Sequence, residues 1–255
     1  MIGKKKKISL NLEPLRGCGK FLPAEGLGRF IVMLALTFSI FSSGGCGSQA
    51  EEGGERAMSE NRAAQGAGAI VVAFGDSLTE GFGVDAADSY PALLEKKLRL
   101  AGMDVRVINS GVSGETSSGA LARVDWILRL APDIIILETG ANDGLRGIDT
   151  ELTFRNIDQA VTKLRAAGVT VVLSGMEMAA NLGKDYADRF RRIYPAVAKK
   201  HDLILIPFFL ENVAAVPHLN IVDGIHPNAA GYAKVVDNLW PHLLAALRRR
   251  GIDSP

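Results

Sequence analysis

Short apolar runs alternate with helical patterns along most of the chain. The apolar runs predict five buried strands, at residues 69–74, 105–108, 133–137, 169–173 and 203–206. Elsewhere apolar residues recur every three or four positions, which predicts helices over residues 90–101, 121–128, 154–164, 186–200 and 232–247. Strands that alternate with helices are typical of βαβ units in a parallel sheet. We therefore expect an α/β fold, a flavodoxin-like three-layer α/β/α sandwich with a five-stranded parallel sheet.

The first 67 residues lack this alternation. Residues 30–41 form a twelve-residue apolar run that is preceded by basic residues and followed by small ones. The run is shorter than the roughly 20 residues that a membrane-spanning helix needs, and its flanks are typical of a secretory signal peptide. We expect residues 1–46 to be a signal peptide and residues 47–67, rich in Gly, Ala, Ser and Glu, to be a flexible linker. The folded domain is then expected over residues 68–250.

The charge distribution differs between these parts. Residues 1–46 hold seven Lys and Arg against two Glu, and the remainder holds 22 basic against 26 acidic residues. The domain therefore lacks the basic surface that a nucleic acid requires. Both cysteines, Cys18 and Cys46, precede the domain, and no Asp, Glu or His spacing within it matches that of zinc ligands. We expect no cofactor, no metal and no nucleic-acid partner, and the sequence carries no signal for an oligomeric state.

Three of the expected strands end in loops that carry candidate functional residues. Ser77, Gly114 and Asn142 each follow a different strand. Because the carboxyl ends of parallel strands share one edge of the sheet, we expect these residues to converge. In a fourth loop Asp223 precedes His226 by three residues, which lets the carboxylate reach Nδ1 of the imidazole and leaves Nε2 free as a base. Each loop alone is explained by a helix cap or a tight turn, whereas the four together favour a nucleophilic serine.

Four blocks of the sequence resemble those of the SGNH hydrolases, also called GDSL esterases/lipases. The blocks are Gly75-Asp-Ser-Leu78, Gly111-Val-Ser-Gly-Glu-Thr116, Gly140-Ala-Asn-Asp143 and Asp223-Gly-Ile-His-Pro227. The resemblance spans residues 69–247. Within this superfamily the chain is most similar to the bacterial group of arylesterases, acyl-CoA thioesterase I and lysophospholipase L1. The runs that carry this closer similarity are Asn142-Asp-Gly-Leu-Arg-Gly147, Ile206-Pro-Phe-Phe209 and Asp223-Gly-Ile-His-Pro-Asn228.

The resemblance implies a serine hydrolase that cleaves carboxylic esters or thioesters through an acyl-Ser77 intermediate, without a cofactor. By position in the blocks, Ser77 would be the nucleophile, His226 the general base and Asp223 the residue that orients His226. The backbone N–H groups of Ser77 and Gly114 and the side-chain amide of Asn142 would form the oxyanion hole. We expect Gly at position 114 because a Cβ there would stand between this N–H group and the oxyanion.

Two stretches are candidates for the acyl pocket. Leu145 lies between glycines in a loop that we expect to close on substrate. Met176, Met178 and Leu182 follow the fourth strand and would line an apolar trough, although packing against a neighbouring helix explains them equally well. An apolar pocket discriminates weakly between chain lengths. We therefore expect a small-molecule or lipid acyl ester as substrate, with broad activity on short- to medium-chain esters, thioesters or lysophospholipids.

Two alternative functions remain open. SGNH relatives include carbohydrate O-acetylesterases, which need a polar, aromatic-lined cleft, whereas the loops here are apolar and the chain has two Trp. A non-catalytic surface lipoprotein that binds an acyl chain or a peptide would tolerate the loss of any one block, whereas all four are present. Hydrolysis of acetylated glycans would favour the first alternative, and failure of a fluorophosphonate to label the protein would favour the second.

The small residues that run into Cys46 resemble the lipobox of bacterial lipoproteins, which implies a lipid on Cys46 and a membrane anchor. Ser43 departs from that pattern, because the lipobox usually has Leu at this position. Cleavage after Ala50 and an uncleaved apolar anchor are the alternatives. All three place the domain outside the cytoplasm of a bacterium, in the periplasm or anchored at the membrane.

Overall fold

The computed structural model describes residues 68–178 and 182–252. The predicted signal peptide, the linker and Cys46 lie outside these residues and stay predictions. Within the described ranges, no helix combines the length and the apolar character needed to cross a membrane.

A parallel sheet of five strands forms the centre of the domain, in the order β2-β1-β3-β4-β5. The strands are β1 (Ala69–Gly75), β2 (Val105–Gly111), β3 (Ile134–Glu138), β4 (Thr170–Ser174) and β5 (Ile204–Ile206). Every residue of β1 and β3 is buried, because helices cover both faces of the sheet.

Seven α-helices accompany the sheet in the described part of the chain. They are α1 (Ser77–Glu80), α2 (Tyr90–Leu100), α3 (Ser117–Leu128), α4 (Ala141–Leu145), α5 (Thr150–Ala166), α6 (Lys184–His201) and α7 (Ala229–Arg249). On one face of the sheet α2 packs on α7, and on the other α3 packs on α5 and α5 on α6. This arrangement confirms the predicted three-layer α/β/α sandwich.

One strand boundary differs from the sequence-based expectation. The strand predicted to end at residue 108 continues to Gly111, because β2 stays in register with β1 as far as the pair Gly75 and Gly111.

Two helices contain a proline. The sequence predicts a kink or break at Pro195 and a kink at Pro241. Both helices continue through their proline, which excludes a break at Pro195, and each has buried side chains on either side of it. The kinks stay predictions.

The strand order places a crevice between β1 and β3. The chain runs from β1 outward to β2 and then crosses back to β3, so the connections leave these two neighbours in opposite directions. Ligands of open α/β sheets bind at such a switch point, beyond the carboxyl ends of the strands. The residues that follow β1 and β3 therefore face one another across a natural binding site.

Candidate active site

The turn after β1 presents Ser77 at the start of α1. Asp76 caps this short helix, and its Oδ1 accepts a hydrogen bond from the backbone N–H of Leu78 at 3.0 Å. Ser77 occupies the first helical position, so its own backbone N–H has no intrahelical partner. A Cβ at position 75 would overlap Thr79 Oγ1 and the carboxyl of Glu138. Only glycine therefore lets β1 end this close to the end of β3.

Ser77, His226 and Asp223 form a continuous hydrogen-bonded chain. Ser77 Oγ lies 2.8 Å from His226 Nε2, and His226 Nδ1 lies 2.7 Å from Asp223 Oδ2. The other oxygen of Asp223 accepts the backbone N–H groups of Ile225 at 2.9 Å and of His226 at 3.0 Å. These contacts fix the carboxylate against the imidazole, whose Nε2 faces the serine hydroxyl. The arrangement is that of a nucleophile, a base and an orienting acid.

The surroundings keep Asp223 ionised. Partial burial raises its pKa, but the hydrogen bonds from Ile225 N–H, from His226 N–H and from the His226 ring outweigh this effect and hold the pKa below its ordinary value. The ring of Phe82 lies against the imidazole, with the two ring centroids 4.8 Å apart. The imidazole is therefore fixed by a charge at Nδ1 and by an apolar contact on its face.

The loop after β2 brings Gly114 to the same crevice. Gly114 has φ +77°, and no acceptor in residues 68–178 or 182–252 takes its N–H. A Cβ at this position would meet only the side chain of Arg146, at an ordinary contact distance of 3.5 Å. That a Cβ would stand between this N–H group and an oxyanion stays a prediction. Glycine is favoured here because the left-handed backbone strains a residue that carries a side chain.

Two side chains hold this loop in place. Glu80 Oε2 accepts the backbone N–H of Ser113 at 3.0 Å and also bonds its hydroxyl. Arg146 Nη2 donates to the carbonyl of Gly114 at 3.0 Å. The peptide units on both sides of the Gly114 N–H are thus anchored.

Asn142 lies at the start of α4, directly across the crevice from the serine turn. Its Nδ2 donates one hydrogen bond to Asp76 Oδ2 at 3.1 Å. A side-chain amide has two N–H groups, so a second one remains to serve a ligand. Asn142, Gly114, Ser77 and His226 all line one cavity. The structure therefore brings together the residues that the sequence singled out.

This cavity has a volume of about 430 Å³ and an apolar wall. Leu145, Met176 and Met178 belong to the wall, as the sequence suggests, whereas Leu182 lies outside it, half exposed beside Gly147. Sequence reasoning did not assign seven further apolar residues of the wall. They are Leu78, Phe82, Ala141, Phe208, Leu210, Ala214 and Ile225.

The missed wall residues had a detectable signal. Phe208 and Leu210 follow β5 at the same sheet edge where the other site loops lie.

The cavity wall also explains why residue 144 is glycine, which the sequence suggests as a source of loop mobility. Residues 141–145 are helical, and the thioether of Met178 occupies the space that a Cβ at position 144 would need. Gly144 therefore admits Met178 to the cavity wall.

Two fully buried acids near the site were not predicted. Asp143 accepts the backbone N–H of Ser117 at 2.7 Å and its hydroxyl at 2.5 Å, which ties α4 to the start of α3. Glu138 ends β3, and its Oε2 accepts Asp76 N–H and Thr79 Oγ1. Burial, and then the charge of Asp76, raise the pKa of Glu138 well above its ordinary value. The signal in the sequence is an acid that directly continues a wholly apolar strand.

The described ranges contain no cluster of three or more His, Cys, Asp or Glu side chains that could hold a metal ion. The polar groups around the cavity are arranged instead as hydrogen-bond donors, an acceptor nitrogen and a hydroxyl. Such a set matches acyl transfer, in which a nucleophile attacks a carbonyl carbon and an oxyanion develops.

Comparison with known proteins agrees with this chemistry. The sequence model of the GDSL-like Lipase/Acylhydrolase family matches residues 73–234. The chain is 39% identical to "Esterase TesA" of Pseudomonas aeruginosa, over 70% of this chain and 90% of that protein. It is 37% identical to "Thioesterase 1/protease 1/lysophospholipase L1" of Escherichia coli K12, over 64% of this chain and 77% of that protein.

A solved structure gives the same result. The fold superposes on the esterase EstA of Pseudoalteromonas sp., inhibited by monoethylphosphonate, with a TM-score of 0.68 and 28% identity. The match covers 71% of this chain and all of EstA. The chain therefore belongs to the GDSL-like lipase/acylhydrolase family.

Proposed function

We propose that this protein is a serine esterase that cleaves carboxylic esters and thioesters through an acyl-enzyme on Ser77. The observation that carries the proposal is the chain of hydrogen bonds from Ser77 Oγ through His226 to Asp223, at 2.8 and 2.7 Å. A serine hydroxyl is a weak nucleophile until an adjacent base accepts its proton. His226 is placed to do so, since Asp223 holds the Nδ1 proton and leaves Nε2 as the acceptor.

In the first step Ser77 Oγ attacks the carbonyl carbon of the substrate while His226 Nε2 takes the hydroxyl proton. The oxyanion that forms is stabilised by the N–H groups of Ser77 and Gly114 and by the amide of Asn142. The imidazolium then gives its proton to the leaving oxygen or sulfur, and the bond to the acyl carbon breaks. A water molecule then attacks the acyl carbon while His226 Nε2 takes its proton. The bond between this carbon and Ser77 Oγ breaks, the imidazolium returns the proton to Ser77 Oγ, and the acid product leaves.

The cavity wall supports an acyl chain as the group bound beside Ser77. The wall consists mainly of aliphatic, aromatic and thioether side chains, and the cavity that it encloses has a volume of about 430 Å³. An apolar pocket separates neighbouring chain lengths by about 1–3 kcal/mol per methylene, so we expect a broad preference for short to medium chains. The names of the relatives support esters, thioesters and lysophospholipids as substrates. An apolar wall suits these better than the acetylated glycans of an O-acetylesterase.

We also propose that the domain is exported and is tethered to a membrane by a lipid on Cys46. The support is the basic start, the apolar run and the small residues before Cys46. The intact mass of the protein purified from its native membrane tests this. A diacylated or triacylated N-terminal cysteine is the expected result, and a mature chain that begins at residue 51 or retains residues 1–45 would contradict it.

The catalytic proposal is tested by comparing Ser77→Ala with Ser110→Ala. Ser110 is a buried serine at the end of β2 whose hydroxyl has no partner among the described residues, so its loss should leave hydrolysis of aryl esters unchanged. Ser77→Ala should lose hydrolysis and lose labelling by a fluorophosphonate. Ester hydrolysis by Ser77→Ala at the wild-type rate would refute the proposal.

A further inference from the structure

Two carboxyl groups lie beneath the serine turn, and the mechanism above uses neither. Asp76 is 1% exposed and Glu138 is completely buried. They belong to the two strand ends that border the crevice, since Asp76 follows β1 and Glu138 ends β3. Isolated buried carboxylates are unfavourable, so a buried pair must share a proton or find donors.

The hydrogen bonds show which of the two acids carries the proton. Both oxygens of Asp76 have donors, Oδ1 from Leu78 N–H at 3.0 Å and Oδ2 from Asn142 Nδ2 at 3.1 Å. Glu138 Oε2 accepts two donors, the backbone N–H of Asp76 at 3.2 Å and the Thr79 hydroxyl at 2.9 Å, but Oε1 receives none from the described residues. Because both oxygens of Asp76 have donors and one oxygen of Glu138 has none, we assign the carboxylate to Asp76 and the neutral acid to Glu138.

The other groups around the pair favour the same assignment. Phenol groups from three helices face it, Tyr90 of α2, Tyr194 of α6 and Tyr232 of α7, and each has its own pKa raised by burial. The hydroxyl of Thr79 completes the surroundings of Glu138, and His226 lies on the side of Asp76. Burial raises the pKa of both acids, but the hydrogen bonds from Leu78 and Asn142 offset part of this at Asp76, whereas the charge of Asp76 adds to it and raises the pKa of Glu138 well above its ordinary value.

A chain of contacts leads from this pair to the oxyanion hole. Glu138 Oε2 accepts the backbone N–H of Asp76 at 3.2 Å, and Asp76 Oδ2 accepts one N–H of the Asn142 amide at 3.1 Å. Fixing that N–H fixes the amide plane, and with it the direction of the second N–H. A second negative charge at Glu138 would act against the oxyanion that develops nearby, whereas a neutral acid there would not. These contacts thus orient the Asn142 amide while placing only one negative charge, that of Asp76, beside the oxyanion hole.

We propose that Glu138 is a positioning residue of the active site, which as a neutral acid holds Asp76 and through it aims the Asn142 amide at the oxyanion. This role rests on the proposed function, since it presumes that Asn142 stabilises the oxyanion in acyl transfer. It also accounts for Gly75 and Thr79, because the carboxyl of Glu138 fills the space beside them.

The test compares Glu138→Gln and Glu138→Met in the full-length protein, each with and without Asn142→Ala. Met has a similar length but no hydrogen bonds, so Glu138→Met should lower kcat by about 10- to 100-fold with KM unchanged, less than the loss of an oxyanion donor itself. Gln is uncharged and its side-chain oxygen can accept from Asp76 N–H and from Thr79, so it should restore most of kcat. In the Asn142→Ala background, Glu138→Met should change kcat by less than about twofold, because the residue it acts through is gone.

A purely structural role for Glu138 would give a different outcome. Glu138→Met would then lower kcat by the same factor in both backgrounds, and this result would overturn the proposal. If Glu138→Met does not fold, infrared spectroscopy of the wild type and Glu138→Gln replaces it. The carbonyl stretch of a protonated carboxyl should be present in the wild type and absent in Glu138→Gln, and its absence from the wild type would also overturn the proposal.

Labelling of the wild type by a fluorophosphonate separates this proposal from the one on which it rests. An unlabelled Ser77 would mean that acyl transfer itself is the wrong function. A labelled Ser77 with equal effects of Glu138→Met in both backgrounds would leave the esterase intact and remove only the positioning role of Glu138.

Discussion

Replacing Asp223 by Asn should invert the hydrogen-bonding role of His226. In the wild type, Asp223 Oδ1 accepts two backbone N–H groups, at 2.9 Å from Ile225 and 3.0 Å from His226. Those N–H groups can only donate, so the oxygen of an Asn side chain must stay with them. The NH₂ group of Asn then faces His226 Nδ1 and donates to it. The imidazole proton is driven to Nε2, which lies 2.8 Å from Ser77 Oγ and can no longer accept its proton.

The size of this effect follows from losing the base while keeping the geometry. With the wrong tautomer, we expect kcat to fall by about 10⁴, or about 5 kcal/mol of transition-state stabilisation. Asp223→Ala removes the carboxylate without imposing a tautomer, because no amide N–H then points at Nδ1. We therefore expect Asp223→Ala to be more active than Asp223→Asn.

The assay is hydrolysis of an aryl ester at saturating substrate, with thermal melting as a check on folding. The Asp223 side chain is 32% exposed, so both variants should fold. A kcat for Asp223→Asn within tenfold of the wild type would refute this reasoning, as would a much lower rate for Asp223→Ala than for Asp223→Asn.

Three further predictions follow from other contacts of the site. Gly114→Ala places a side chain at φ +77°, which should destabilise the fold by about 1–2 kcal/mol in urea unfolding, and an unchanged stability would contradict the strain. The pKa of Glu138 is raised in the folded state, so folding takes up a proton, and this contribution to stability is lost as pH rises above the ordinary pKa of Glu. The free energy of unfolding of Glu138→Gln, measured relative to that of the wild type, should therefore be higher at about pH 8 than at about pH 5. An equal difference from the wild type at both pH values would contradict the raised pKa. Gly144→Ala must displace Met178 from the cavity wall, so the ratio of kcat/KM for short and medium acyl chains should change by about tenfold. An unchanged ratio would mean that Met178 does not bound the acyl chain.

The fold was predictable because most of its strands are mainly apolar and its longer helices are amphipathic. Where the prediction was wrong, a distant partner decided the outcome. The residues before Gly111 favour turns locally, yet pairing with β1 extends β2 through them.

The site residues also divide into those that local sequence determines and those that distant contacts determine. Ser77 and Asn142 follow strand ends, and Asp223 and His226 are separated by a spacing that brings them together, so local sequence and topology were sufficient to select them. Glu138 was missed because its role depends on Asp76, 62 residues away in the sequence. Leu182 does not line the cavity although it is apolar, because its side chain lies beside Gly147 instead.

The central claim is that catalysis passes through a covalent acyl group on Ser77. The most direct measurement is the mass of the enzyme quenched in acid while it turns over an aryl hexanoate, followed by mapping of its peptides. We predict a mass increase of one hexanoyl group, located on the peptide that contains Ser77 and absent from Ser77→Ala. Unmodified enzyme under conditions of full turnover, or an acyl group on another residue, would contradict the account.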